Sequence, residues 1–211
     1  MIGRLSPVVA AAVLAVSGCG SGQDAAASSV ECPPAEGAAE RVTEFESAPP
    51  MCIDEEKTYS ATVSTDAGDI VIDLDAEAAP KTVNNFVVLA RYQFYDGLTF
   101  HRVIEGFMAQ GGDPAGDGSG GPGYTVKDEL PQAGDYEEGS VAMANRGPDT
   151  NGSQFFIVTG DAGVALPPDY SLFAAVTKGM DVVEEIEADG SSGEGPPAAV
   201  HTIERVTITE E

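Results

Sequence analysis

Tryptophan is absent from the 211 residues, and the aromatic side chains are limited to eight Phe and six Tyr. Positive charge is scarce. Ten Lys and Arg stand against 35 Asp and Glu, a formal net charge of −25. Such a chain repels nucleic acid and anionic lipid headgroups, so nucleic acid is not an expected partner. The acidic residues are spread along the chain and read as a solvated surface, not as a calcium site. Only two histidines, His101 and His201, and three cysteines are present. That is too few for a His-based metal site or a zinc cluster, so no metal or other cofactor is expected. No serine stands in a G-x-S-x-G elbow and no G-K-[ST] closes a glycine loop, which argues against a serine hydrolase and a phosphate-binding loop. After the N-terminus no run approaches the roughly 18–20 apolar residues of a membrane-crossing helix.

The N-terminus itself is distinctive. Arg4 is followed by an apolar run from Pro7 to Val16, then Ser17-Gly18-Cys19. A charged start, a short apolar core and small residues read as a secretory signal over residues 1–18. A cysteine directly after Ser-Gly resembles the bacterial lipobox, in which that cysteine becomes the lipidated first residue. The alternative is an ordinary cleaved signal with a chance cysteine. Loss of Arg4 leaves the mature chain more acidic still, so it would hold to a membrane by acyl chains and not by a basic patch. Residues 19–29 are rich in Gly, Ala and Ser and read as a flexible tether. Cys32 and Cys52 remain as an even pair in an oxidising, exported setting, which predicts a disulfide. In the chain-entropy picture a loop of that size contributes roughly 3 kcal/mol. Two unpaired thiols are the alternative. Residues 30–56 form an N-terminal extension, and the globular domain is expected over 57–211.

Within that domain Tyr59, Ala61 and Val63 alternate with polar residues, as do Ile70, Ile72 and Leu74. With the turn residues Thr65 to Gly68 between them, the two runs predict a β-hairpin. Pro80 suits a first helical turn, and Val83, Phe86, Val87 and Ala90 recur at helical spacing. Further short strands are expected over residues 100–104, 140–143, 155–159, 172–176 and 202–209, with a second helix over 180–188. Seven glycines and two prolines between Gly111 and Tyr124 mark a loop. Many short strands with two helices argue for a mainly β fold, a closed barrel capped by helices.

Two segments carry the chemistry. The first is Phe100-His101-Arg102-Val103-Ile104-Glu105-Gly106-Phe107-Met108-Ala109-Gln110-Gly111-Gly112-Asp113. The second is Met143-Ala144-Asn145-Arg146-Gly147-Pro148-Asp149-Thr150-Asn151-Gly152-Ser153-Gln154-Phe155-Phe156-Ile157. Together they resemble the signature of the cyclophilins, a family of peptidyl-prolyl cis-trans isomerases, and the element order is similar to theirs from about Thr58 to Thr209. The export signal, acidic balance and cysteine pair resemble bacterial secreted or lipoprotein members. The resemblance implies a closed eight-stranded antiparallel barrel capped by two α-helices. It also implies an enzyme that speeds rotation about X-Pro bonds and usually works as a monomer.

Rotation about a peptide bond has a barrier of about 18–20 kcal/mol because the nitrogen lone pair is conjugated with the carbonyl. X-Pro isomers differ by roughly 1 kcal/mol yet exchange over tens to hundreds of seconds. A catalyst has to favour only the twisted state, whose pyramidal nitrogen is a better hydrogen-bond acceptor. A fixed guanidinium can donate to it, and Arg102 is the candidate. By resemblance Phe107, Met108, Phe156 and Leu166 line a pocket for the proline ring, although Met108 and Phe156 could equally be barrel core. Gln110 and Asn145 match groups that hold the substrate backbone, and Ala144 allows close approach. Gln154 orients Arg102 or a substrate carbonyl. His101 matches a pocket-edge residue, with a structural histidine as its alternative, and no acid–base role is expected because no proton is transferred. Tyr170 matches a rim position commonly occupied by His.

Three departures from the family pattern stand out. Glu105 takes the place of a usual Pro, Ala174 that of a usual Gly, and Ala165 sits where many members carry a Trp that binds cyclosporin. Weak cyclosporin binding is therefore expected. The leading expectation is an isomerase lipid-anchored to the outer face of the bacterial cytoplasmic membrane, acting on proline-containing segments of exported polypeptides. The alternative is a non-catalytic chaperone or scaffold lipoprotein that grips the same segments. Intact Arg102, Phe107 and Gln110 favour the enzyme.

Overall fold

The computed structural model describes residues 2–3, 30–193 and 196–211. The expected signal, Cys19 and the tether up to Ser29 lie outside the described residues.

Among the described residues, nine strands form one antiparallel sheet, with three helices around it. The opening hairpin is as the alternation predicts. Strands β1 (Tyr59–Thr65) and β2 (Gly68–Leu74) pair from Tyr59↔Leu74 to Thr65↔Gly68. Thr65 closes the turn, its Oγ1 donating to Gly68 O at 2.7 Å and accepting from the Ala67 and Gly68 N–H groups. Gly68 sits at φ +142°, backbone that a side chain would strain. After helix α1 (Pro80–Arg91) come β3 (Leu98–Thr99), β4 (Arg102–Ile104) and β5 (Met108–Gly111), then β6 (Ser140–Met143) and β7 (Phe155–Val158). The chain ends through α2 (Asp161–Val164), β8 (Leu172–Lys178), α3 (Met180–Ala188) and β9 (Thr202–Glu210).

The expectation of a closed eight-stranded barrel with two helices needs correction. The sheet order is β3-β9-β1-β2-β8-β6-β7-β5-β4, so β3 and β4 are its two edges. They are separated in sequence by Phe100 and His101 alone, which holds the edges close and curls the sheet into a barrel-like shell. The seam has no ladder between β3 and β4. Phe100 N–H still continues the β3–β9 pairing by donating to His201 O at 3.0 Å, after which the chain turns away. Across the gap, Ser191 donates to Val103 O at 3.0 Å and accepts from Glu105 N–H at 3.2 Å. The single strand expected through Phe100–Ile104 is thus broken before Arg102, and a tight turn at Glu105-Gly106 returns it as β5, with Gly106 at φ +71°. Helix α2 is a single turn and carries no apolar period, which is why the pattern missed it.

Inside the shell, Val63, Ile70, Ile72, Phe86, Phe100, Phe155 and Phe173 are all within 1% of full burial. Ala174 is 4% exposed and keeps its register opposite Leu74 and Val141, so the methyl group in place of hydrogen is absorbed by the core. Helix α1 departs from the amphipathic expectation, because every residue from Thr82 to Arg91 is buried. Its core face packs on the sheet, and residues 30–56 run along its outer side. Asn84 Oδ1 accepts from Cys52 and Ile53 N–H at 2.7 and 3.2 Å, and its Nδ2 donates to Pro50 O at 2.9 Å. At the other end Ala38 and Val42 donate to the carbonyls of Arg91 and Tyr92. The predicted Cys32–Cys52 disulfide is present, with Cα atoms 5.3 Å apart. The start of α1 has no side-chain cap of its own. Instead Glu129, from a distant loop, accepts from Lys81 N–H, Thr82 N–H and Thr82 Oγ1 at 3.2, 2.8 and 2.8 Å, which satisfies orphan donors and suits the helix dipole.

Candidate active site

Side chains directly opposite each other in neighbouring strands share one face of a sheet. Arg102 pairs with Gln110, Gln110 with Phe156, and Phe156 with Ala142, so four strands set these residues in a row across the outer face. A second row two residues along holds Ile104, Met108 and Val158. The intervening positions Val103, Ala109 and Ile157 point into the shell and join its core. Met108 and Phe156 therefore do not belong to the barrel core. Both are buried, 1% and 4% exposed, but in a separate apolar cluster outside the barrel core. Around them Phe107, Ala144, Leu166 and Tyr170 are half-buried. Tyr170 stands edge-on to Phe156 at 5.4 Å. The result is an apolar patch on the outer face of the sheet, beside the guanidinium of Arg102.

A directional chain of hydrogen bonds aligns that guanidinium. Arg102 Nη1 donates to Gln110 Oε1 at 3.3 Å, and Gln110 Nε2 donates to Gln154 Oε1 at 2.8 Å. Gln154 Nε2 then donates to the carbonyls of Gly118 and Gly120 at 3.1 and 2.9 Å. Neither amide can be turned round. Backbone carbonyls accept only, a guanidinium donates only, and the two carboxamides between them must point the same way. The Arg102 guanidinium also lies 5.9 Å from the centre of the Phe107 ring and 3.9 Å from the Met108 sulfur. Its planar head is therefore held by an amide and an aromatic face beside the sulfur of Met108.

The glycine-rich loop is organised by Asp113, which is 1% exposed. Its carboxylate accepts from the N–H groups of Ala115, Asp117 and Gly118 at 2.9, 3.0 and 2.5 Å. That fixes the Gly118 carbonyl that receives Gln154. Two depressions flank the loop. One, of about 530 Å³, lies between His101, Arg102, Asp117 and Pro196. The other, of about 570 Å³, is walled by Gly121 to Thr125 on one side and by Asn145, Arg146 and Thr150 on the other. Gln110 and Gly118 border both.

Asn145 sits at the end of β6 with Nδ2 donating to Asp169 O at 2.8 Å and Oδ1 accepting from Gly147 N–H at 3.2 Å. It ties the second motif to the rim segment that carries Tyr170. His101 is half-buried, and neither ring nitrogen meets a well-aligned hydrogen-bond partner among the described residues. Burial pushes its pKa below the ordinary value of 6.5, partly offset by Asp113. The ring borders the depression beside Arg102. Glu105 is exposed in the β4–β5 turn. Ala165 is exposed after α2, so no indole is presented there.

Sequence reasoning missed three residues. Asp113 stood in the first motif without a role. Arg146, whose Nη2 donates to the Gly118 carbonyl, brings a second cation to the groove. Tyr136 is buried at 1% exposure, donates to Tyr170 O at 2.6 Å and accepts from Tyr170 N–H at 3.1 Å, which pins the rim. Burial raises its pKa to about 12. Tyr136 lies in an irregular segment of acids and glycines, where periodicity carries no signal.

Comparison with known proteins agrees with this arrangement. A family model described as "Cyclophilin type peptidyl-prolyl cis-trans isomerase/CLD" matches residues 60–208. Peptidyl-prolyl cis-trans isomerase A of Mycobacterium tuberculosis is 44% identical over 170 residues, covering 72% of this chain and 93% of the relative. Peptidyl-prolyl cis-trans isomerase B of Bacillus subtilis is 47% identical over 137 residues, 59% of this chain and 94% of the relative. A crystal structure of a Cryptosporidium parvum cyclophilin-type isomerase superposes with a TM-score of 0.67 at 31% identity, covering 72% of this chain and 98% of that one. A second structure of that protein was determined in the presence of the dipeptide Ala-Pro. With the fold, both motifs and the matched span in agreement, the chain belongs to the cyclophilin-type peptidyl-prolyl cis-trans isomerases.

Proposed function

We propose that Arg102 drives the isomerisation by donating to the imide nitrogen of a twisted X-Pro bond while the proline ring rests on the apolar patch at Met108 and Phe156. The observation that carries this reading is the row Arg102–Gln110–Phe156, which puts a directed cation beside an apolar floor. A gain of 10⁴ to 10⁵ in rate requires about 5.5–7 kcal/mol. One hydrogen bond from a charged donor supplies about 1.5–3 kcal/mol of that. The remainder falls to contacts with ring and backbone that are better in the twisted geometry. Arg102→Ala is then expected to lower kcat/KM on an X-Pro peptide by at least tenfold, on the order of a hundredfold, with the near-ultraviolet circular dichroism of the folded protein retained. Arg102→Lys recovers part of the loss, since an ammonium lacks the planar fork. A wild-type chain that binds the peptide and leaves its isomerisation rate unchanged would move the function to a proline-segment-binding chaperone.

The substrates in this reading are proline-containing segments of exported polypeptides, and the chain acts as a monomer tethered through a lipid on Cys19 to the outer face of the cytoplasmic membrane. Supporting it are the sequence of residues 1–19 and the Cys32–Cys52 disulfide, a bond that persists in oxidising compartments. Exposed Ala165, without an indole, supports weak cyclosporin binding, read as inhibition only above micromolar concentration.

A further inference from the structure

The outer covering of α1 and the wall of the second depression meet at Phe45. This residue is 8% exposed, although it belongs to a segment without regular secondary structure. Its N–H donates to Pro122 O at 2.9 Å. Its ring stands edge-on to Tyr92 at 5.3 Å and to Tyr124 at 6.1 Å. A Cβ on Gly123 would lie 2.5 Å from the Phe45 carbonyl oxygen, so the two backbones are at closest approach and only glycine fits. Tyr124 Oη donates to Asn85 Oδ1 at 2.7 Å, and Asn85 Nδ2 donates to Gly152 O at 2.8 Å, which ties the same wall to the helix and to the second motif. Pro122, Gly123, Tyr124 and Gly152 all border the depression of about 570 Å³. Behind Phe45 the segment is anchored at both ends: by Asn84 and the Cys32–Cys52 disulfide, and by Arg41, which donates to the carbonyls of Gln93 and Phe94 at 3.1 and 3.2 Å.

We propose that residues 30–56 are a positioning element for the substrate groove, with Phe45 as the residue that holds its wall and the disulfide as the staple that holds Phe45. The inference rests on the reading of the groove as a polypeptide-binding site. The depression lies beside the proline pocket and so receives chain that flanks the proline. Loosening Phe45 frees the Gly121–Thr125 wall. Arg102 keeps its alignment, because Gln154 retains the Gly118 carbonyl, which Asp113 fixes independently. The grip on long substrates is lost while the chemistry at the proline continues.

The test uses the full chain in detergent: oxidised wild type, the Cys32→Ser/Cys52→Ser double variant, Phe45→Ala and the conservative Phe45→Leu. Amide hydrogen exchange is read first. Protection at residue 45 and at Val126, whose N–H groups donate to Pro122 O and Asn151 O at 2.9 and 2.8 Å, falls at least tenfold in the double variant and in Phe45→Ala, with β4 and β5 unchanged, and Phe45→Leu restores most of it. On a peptide with four residues before the proline, KM rises three- to tenfold in those two variants and kcat stays within twofold. On a blocked substrate with one residue before the proline, neither parameter moves. Unchanged exchange in the wall overturns the proposal, as does an equal loss on both substrates with exchange rising across the whole sheet. Should the wild type fail to isomerise either substrate, the catalytic reading falls by itself. Exchange and the calorimetric Kd of the long peptide still decide the positioning role.

Discussion

Gln154→Glu exchanges one atom type in the middle of the relay and nearly preserves its volume. Gln154 is 8% exposed, and its Nε2 is the donor for two backbone carbonyls. The introduced carboxylate turns both donations into acceptor–acceptor contacts. The Gly118 carbonyl keeps a donor in Arg146, so one carbonyl, Gly120, is orphaned. The half-buried Gly120 carbonyl left without its donor costs at most about 1–3 kcal/mol, and a lost net hydrogen bond at Gly118 about 1 kcal/mol more. The other carboxylate oxygen still accepts from Gln110, so Arg102 is not released outright. The disturbance moves the glycine loop and with it the groove. A total of about 2–4 kcal/mol divides between stability and the bound transition state, which places kcat/KM at pH 7.5 about 10- to 100-fold down, mainly through KM. The pH dependence has a definite sign. Burial and two facing carbonyls raise the pKa of the introduced carboxyl. Below that pKa it is neutral and its O–H can donate to one carbonyl, so activity recovers partially as pH falls. The assay is kcat and KM on one X-Pro peptide between pH 5 and 8, beside a thermal melt. Wild-type kcat/KM within twofold at pH 7.5, or a loss that deepens on acidification, would refute the directional relay.

Glu210 accepts from Arg91 at 2.6 Å and from Lys57 at 3.2 Å, which holds its carboxyl below the ordinary 4.5, the Arg91 bond contributing most. The Arg91 side chain is 6% exposed, so Glu210→Gln leaves a buried cation poorly matched and costs about 1–3 kcal/mol at pH 7 by denaturant titration. Because the folded pKa lies below the unfolded one, this stability is present above pH 4.5 and is lost as pH falls through the folded value. The wild-type and variant midpoints should therefore converge below pH 4.5, and a constant gap would contradict the pairing. His101 titrates with the opposite charge and the same direction. Its pKa is lowered by burial, so the folded protein binds fewer protons, and the contribution is present above pH 6.5 and lost as pH falls through the folded value. By ring-carbon NMR it should titrate below 6.5, while kcat/KM stays flat from pH 7 to 9. A sloping or bell-shaped profile over that range would mean that a proton is transferred after all.

Local chemistry made much of this protein legible. Alternation in 59–63 and 70–74, Thr65 and Gly68 at the turn, and helical spacing from Val83 to Ala90 each specify structure through nearest neighbours, and each element formed where those signals stand. Arg102, Phe107, Met108, Gln110, Gln154 and Phe156 were legible as candidates because they lie in two unbroken motifs. Other features depend on partners distant in sequence. Glu129 caps α1 across 47 residues from Thr82, and Tyr136 pins Tyr170 across 34. No period or propensity reports such pairings.

The sequence by itself determined the hairpin, the helical period, the cysteine pair and the two motifs that carry the candidate site, because those follow from side-chain chemistry and short-range spacing. Only the tertiary structure decided on which side of the sheet Met108 and Phe156 lie, how the edges β3 and β4 are brought together, and why α1 has no solvent face. Strand register assigns each side chain to the shell interior or to the groove, and register is set by pairing between segments far apart in sequence, as in Tyr59↔Glu210, 151 residues apart.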